Sequence, residues 1–123
     1  MKEADLPKIL VVDDAAFMRM KCAKLLAEHG FEVMEAVSGT EAVASYKASR
    51  PDAVLLDIAM PDMDGLAALK QLRAHDPTVR VAMVTAMGQQ SIVMEALKSG
   101  ARDFVVKPFN AERVLAAVNK ILS

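Results

Sequence analysis

The stretch Ile9-Leu10-Val11-Val12-Asp13-Asp14 decides how the chain is read: four apolar residues run directly into two carboxylates. A continuous apolar run of this length is the mark of a parallel strand buried on both faces, whereas half-solvated strands alternate. The arrangement recurs. Val54 to Leu56 ends on Asp57, Val81 to Val84 on Thr85, and Phe104 to Val106 on Lys107. Ligands of open α/β sheets bind outside the carboxyl ends of the strands, so parallel strands would bring three carboxylates, a hydroxyl and an ammonium to one crevice.

Outward from that stretch, extended and helical patterns alternate. Strands are expected at roughly 8–13, 31–36, 53–57, 79–84 and 103–106. Between and after them, helical spacing aligns Met18, Cys22, Leu25 and Leu26 within 15–29, Ala42, Val43 and Tyr46 within 40–49, and Leu66, Leu69 and Leu72 within 65–75. Two more helices carry Val93, Ala96 and Leu97, then Val114, Val118 and Ile121. Gly30 and Gly100 are placed to cap helix ends, and Pro51 and Pro77 to stop two others. Five βα units with short connections require right-handed crossovers and parallel pairing. The expected fold is α/β, a flavodoxin-like doubly wound (βα)5 with parallel sheet order 2-1-3-4-5.

A chain of 123 residues fits one domain, 1–123, with no room for an output domain. The 54% hydrophobic content exceeds the roughly 45–50% of average globular chains and suits a sheet covered on both faces. Cys22 is the only cysteine. It excludes an internal disulfide and any multi-cysteine metal site, and is expected to be a buried thiol. No stretch has signal-peptide or membrane-spanning character, so a cytoplasmic protein without membrane insertion is expected. Residues 1–64 carry 7 basic and 12 acidic side chains, residues 65–123 carry 8 and 4. The acidic half suits a cation. With four Phe, one Tyr and no Trp, the chain has little on which bases could stack, and nucleic acid is not an expected partner.

Adjacent Asp13 and Asp14 with a third carboxylate at Asp57 repel one another unless a hard cation such as Mg2+ sits among them. One of the pair could instead cap the first helix. Asp57, beside a cation, can attack phosphorus and become an aspartyl phosphate. Thr85 could donate to a phosphoryl oxygen, and Lys107 could pair first with Asp57 and then with a phosphoryl group. The Lys107-Pro108 bond is a candidate for the cis form. Pro61-Asp62-Met63-Asp64-Gly65 reads as a turn with Asp64 as a helix cap; it lacks the spacing of a calcium loop.

In order and approximate spacing, Asp13-Asp14, Asp57, Thr85 and Lys107-Pro108 resemble bacterial response-regulator receiver domains over the whole chain. Asp13-Asp14-Ala15-Ala16-Phe17-Met18-Arg19, Thr85-Ala86-Met87-Gly88-Gln89-Gln90 and Val106-Lys107-Pro108-Phe109 are most similar to the stand-alone chemotaxis members. The resemblance implies a phosphorelay switch, not an enzyme, that assists its own phosphotransfer and slow dephosphorylation. Asp57 would accept the group from a sensor histidine kinase. Asp14, Asp57 and the Ala59 carbonyl would ligate Mg2+, with Mn2+ a substitute, while Asp13 acts through water. Thr85 and Lys107 would hold phosphoryl oxygens. Thr85 and Phe104 would form the switch, Phe104 standing where many chemotaxis members carry tyrosine. The hydrolysis-tuning positions, which flank the path of the hydrolytic water, would be Ala59 and Met87, and neither side chain can orient a water.

The implied output is a changed face of fourth helix, fifth strand and fifth helix, presented by a monomer to a downstream protein such as a flagellar switch. A non-chemotaxis two-component pathway is the alternative. Three other readings are weaker: an FMN protein would need a phosphate cradle where Asp13-Asp14 stands, an aspartyl-phosphate phosphatase would need a general acid beside Asp57, and a receiver-like module that is never phosphorylated has no need of the intact five-residue set.

Overall fold

Every apolar run forms a strand and every stretch of helical spacing a helix. The computed structural model describes residues 6–60, 63–86 and 90–123. The order is β1 (Lys8–Val12), α1 (Ala16–Glu28), β2 (Glu32–Ala36), α2 (Gly39–Ser49), β3 (Ala53–Asp57), α3 (Gly65–His75), β4 (Val81–Ala86), α4 (Gln90–Lys98), β5 (Asp103–Lys107) and α5 (Ala111–Leu122). The sheet is parallel, with strand order β2-β1-β3-β4-β5.

Side chains alternate across the strands and divide the core into two layers. Leu10, Val12, Val54, Leu56, Val81 and Met83 meet α2, α3 and α4 on one face. Ile9, Val11, Leu55, Val84 and Val105 meet Cys22 and Leu26 of α1 and Val114, Val118 and Ile121 of α5 on the other. Both faces being covered explains why the central strands read as unbroken apolar runs. Gly30 and Gly100, at φ 88° and 112°, turn the chain after α1 and α4 in a conformation that strains any residue with a Cβ.

Two local expectations change, and a third holds. Val79 is buried yet precedes β4: its N–H donates to the Asp76 carbonyl at 3.0 Å instead of joining the ladder. Neither Asp13 nor Asp14 is the cap residue of α1. That position is Ala15, whose side chain caps nothing, and Asp13 Oδ1 accepts the Ala15 N–H at 2.9 Å. Asp64 does cap α3, accepting from the Ala67 N–H at 2.8 Å. Pro61 and Asp62, of the same expected turn, lie outside the described residues.

Candidate functional site

Register places the polar strand ends side by side. Val12 pairs with Leu56, Asp57 with Val84, Thr85 with Val106 and Ala86 with Lys107, so the tips of β1, β3, β4 and β5 finish close to one level. Lys107 Nζ reaches Asp13 Oδ2 and Asp57 Oδ2, each at 3.2 Å. The other oxygens of these carboxylates are held by main chain: Asp13 Oδ1 by the Ala15 N–H, and Asp57 Oδ1 by the Ala59 N–H at 3.2 Å. Asp13 and Asp57 are buried and Asp14 is exposed. Lys107-Pro108 is cis.

One ammonium thus binds two carboxylates of a cluster of three. Burial pushes the Asp57 carboxyl above its ordinary value; Lys107 opposes this and the Asp13 charge adds to it. Burial acts to lower the Lys107 ammonium, but Asp57 and Asp13 together raise it. The Cys22 thiol, beneath the site, is pushed up to about 11, first by burial and then by Asp13. It is a buried, inert thiol.

The donor set fits a small hard cation. Asp13, Asp14 and Asp57 each offer an oxygen, all within 4.8 Å of one another. Hard cations such as Mg2+ take oxygen ligands, and these three carboxylates would draw together around one to hold it. Three anions with one neighbouring ammonium leave the negative excess that such an ion would neutralise.

The remaining expected residues surround this cluster. Thr85 is buried, and its hydroxyl donates to the Ala86 carbonyl at 3.2 Å. Phe104 is half-buried against the layer that contains α4. Its carbonyl accepts from Arg113 Nη2, and Arg113 also binds both oxygens of Asp103 at 3.3 Å, so the start of β5 is tied to α5. Ala59 is exposed next to the acceptor. Met87 lies outside the described residues.

Three participants escaped the sequence reading. The grip of Lys107 on Asp13 joins residues that local patterning cannot relate. Arg19, noted there only as part of a motif, donates from Nη1 to the Asp13 carbonyl at 2.8 Å and from Nε to Glu35 at 3.0 Å, bracing the acidic loop against β2. Gly65 presses on the acceptor's backbone: a Cβ there would lie 2.7 Å from Ile58 Cα and closer still to the Asp57 carbonyl. A glycine opening the third helix was visible, but its target was not.

The geometry agrees with comparison to known proteins. Residues 9–119 match the response regulator receiver domain. The chain is 54% identical over 117 residues to the chemotaxis protein CheY of Bacillus subtilis, covering 94% of this chain and 98% of that one. It is 49% identical to CheY of Thermotoga maritima, covering 93% and 96%. Among solved structures, a CheX-CheY-BeF3-Mg2+ complex from Borrelia burgdorferi superimposes with a TM-score of 0.91 at 32% identity, covering 100% of this chain and 99% of that one. With its 2-1-3-4-5 sheet and its acids gathered at the strand tips, the chain belongs to the response regulator receiver domain family.

Proposed function

We propose that this receiver is a phosphorelay switch of the chemotaxis type in which Asp57 is the phospho-acceptor. The observation that carries the reading is the placement of a buried Asp57 between two further carboxylates and the Lys107 ammonium at the strand tips. An Asp57 oxygen attacks the phosphorus of a phosphohistidine on a partner kinase; the O–P bond forms, the P–N bond breaks and the imidazole leaves. Asp14, Asp57 and the Ala59 carbonyl would hold Mg2+ directly, with Asp13 acting through water. The bound ion supplies charge neutralisation for the transferring oxygens. Lys107 and the Thr85 hydroxyl take phosphoryl oxygens, which draws Lys107 away from the carboxylates it grips.

Output runs through Phe104 and the face of α4, β5 and α5, a two-state element biased by the phosphoryl group. The names of the Bacillus and Thermotoga relatives support a chemotaxis role. The Borrelia complex supports a partner protein that engages this fold with BeF3 and Mg2+ present. Ala59, and Met87 as expected from sequence, leave the hydrolytic water unguided, so self-dephosphorylation is slow.

Incubation with acetyl phosphate and Mg2+ should add one phosphoryl mass by intact-mass spectrometry. Asp57→Asn and chelation should each abolish it. Undiminished labelling of Asp57→Asn overturns the assignment.

A further inference from the structure

At the opposite, amino edge of the sheet lies a hollow of about 440 Å³ whose wall includes Arg50, Arg80, Arg102, Asp52, Asp76 and Thr78. Three arginines and two aspartates share the wall, and both carboxylates are already engaged. Asp76 Oδ1 accepts from the Thr78 N–H at 3.0 Å and the Thr78 hydroxyl at 2.7 Å. Its Oδ2 accepts from the Tyr46 hydroxyl at 2.7 Å and from Arg50 at 3.2 Å. Asp52 Oδ2 accepts the Lys8 N–H at 2.7 Å. Among the described residues, neither the Arg80 nor the Arg102 guanidinium makes a hydrogen bond or ion pair.

The main chain at both residues is fixed by the sheet. The Arg80 carbonyl accepts from the Val54 N–H and the Arg102 N–H donates to the Val81 carbonyl, each at 2.8 Å. Cations near helix C-termini complement the helix dipole, which accounts for Arg50 at the end of α2. It does not account for Arg80 and Arg102, which directly precede β4 and β5; the dipole's influence fades within the last turn of a helix.

We propose that the hollow is a binding site for a small free phosphate compound, with Arg80 and Arg102 as the principal donors and Arg50, held in place by Asp76, as the third. Planar guanidinium forks match phosphate oxygens in pairs. The volume falls within the roughly 300–1,000 Å³ typical of small-molecule sites. The ligand is not a nucleotide: Tyr46, the one aromatic in the wall, is buried and turned to Asp76, and offers no platform for a base.

The test uses inorganic pyrophosphate as the probe, titrated into metal-free, 15N-labelled protein, beside sodium chloride at matched ionic strength. Saturable shifts at the Thr78, Val81 and Arg102 amides that chloride does not reproduce are expected. An Arg80→Gln, Arg102→Gln double variant should bind about tenfold more weakly or worse, given the usual strength of charge-assisted hydrogen bonds. Non-saturating shifts equalled by chloride, shifts centred on Lys107 at the other edge, or undiminished binding by the double variant would each overturn the proposal. The first two are read on the wild type and do not depend on the variant's folding.

Discussion

The two edges of the sheet use the same residue types to opposite ends. At the carboxyl edge, Asp57 shares one ammonium with Asp13, and burial holds its carboxyl above the ordinary value. At the amino edge, Asp76 receives four hydrogen bonds, and its carboxyl is drawn down to about 2, first by the Thr78 hydroxyl, then by Tyr46 and the Thr78 N–H. Burial alone therefore does not decide whether a carboxylate serves stability. The supply of donors does: where they are plentiful the charged group holds the fold together, and where they are few it is left in need of a cation.

The sharpest way to break this contrast is to remove each aspartate. Asp76→Ala leaves the Tyr46 hydroxyl without its acceptor and severs the link between α2 and the end of α3, so it should destabilise by about 3 kcal/mol in urea unfolding. Asp57→Asn in metal-free protein should have the reverse sign and raise the urea midpoint, because it relieves a buried charge beside Asp13. Matching losses from the two variants would erase the distinction between the edges.

Acid titration sharpens the same point. Asp76 is lowered from 3.8 to about 2 on folding. Below both values the two states carry the proton equally; above 3.8 the folded state alone has gained from ionisation. The stability owed to Asp76 is thus present above pH 4 and disappears as pH falls from about 4 to about 2. An Asp76→Asn variant should show a shallower loss across that window. The Tyr46 hydroxyl, raised to about 12 mainly by burial and then by its bond to Asp76, gives a stabilising effect that disappears as pH rises from 10 through 12.

Smaller effects test how the acidic edge is braced and balanced. Arg19→Ala frees the Asp13 carbonyl and Glu35 while leaving all three carboxylates in place, and should weaken Mg2+ binding about tenfold by calorimetry, the lower range for outer-shell supports. Lys107→Ala removes a competing cation from Asp13 and Asp57. It should tighten Mg2+ about threefold, a modest Coulomb effect at this partly exposed position, while beryllofluoride should no longer shift amides around Phe104. An unchanged or weakened affinity for the ion would show that Lys107 organises the carboxylates instead of competing with a metal.

Much of this arrangement was legible in residue order because it depends on local signals. Apolar runs ending in Asp57, Thr85 and Lys107 disclosed buried parallel strands and the edge at which their polar residues gather. The 2-1-3-4-5 order followed from crossover handedness and resemblance, and the structure has it. The apolar signal reports burial, not pairing, which is why Val79 looked like strand and is a buried turn residue. Long-range side-chain contacts were out of reach. Arg19 with Glu35, Lys107 with Asp13, Gly65 against the backbone of residues 57 and 58, and the donors converging on Asp76 all depend on how separate elements are set against each other. No periodicity encodes that.

The span of the Lys107 contacts has a consequence for the chain during its synthesis. Lys107 lies 94 residues from Asp13 and 50 from Asp57. A nascent chain that has released β1 and β3 but not β5 carries the acids without their ammonium, and its sheet lacks an edge strand. The acidic cluster and the ammonium that offsets it therefore come together only with β5, and until then the folding sheet carries its buried carboxylates uncompensated.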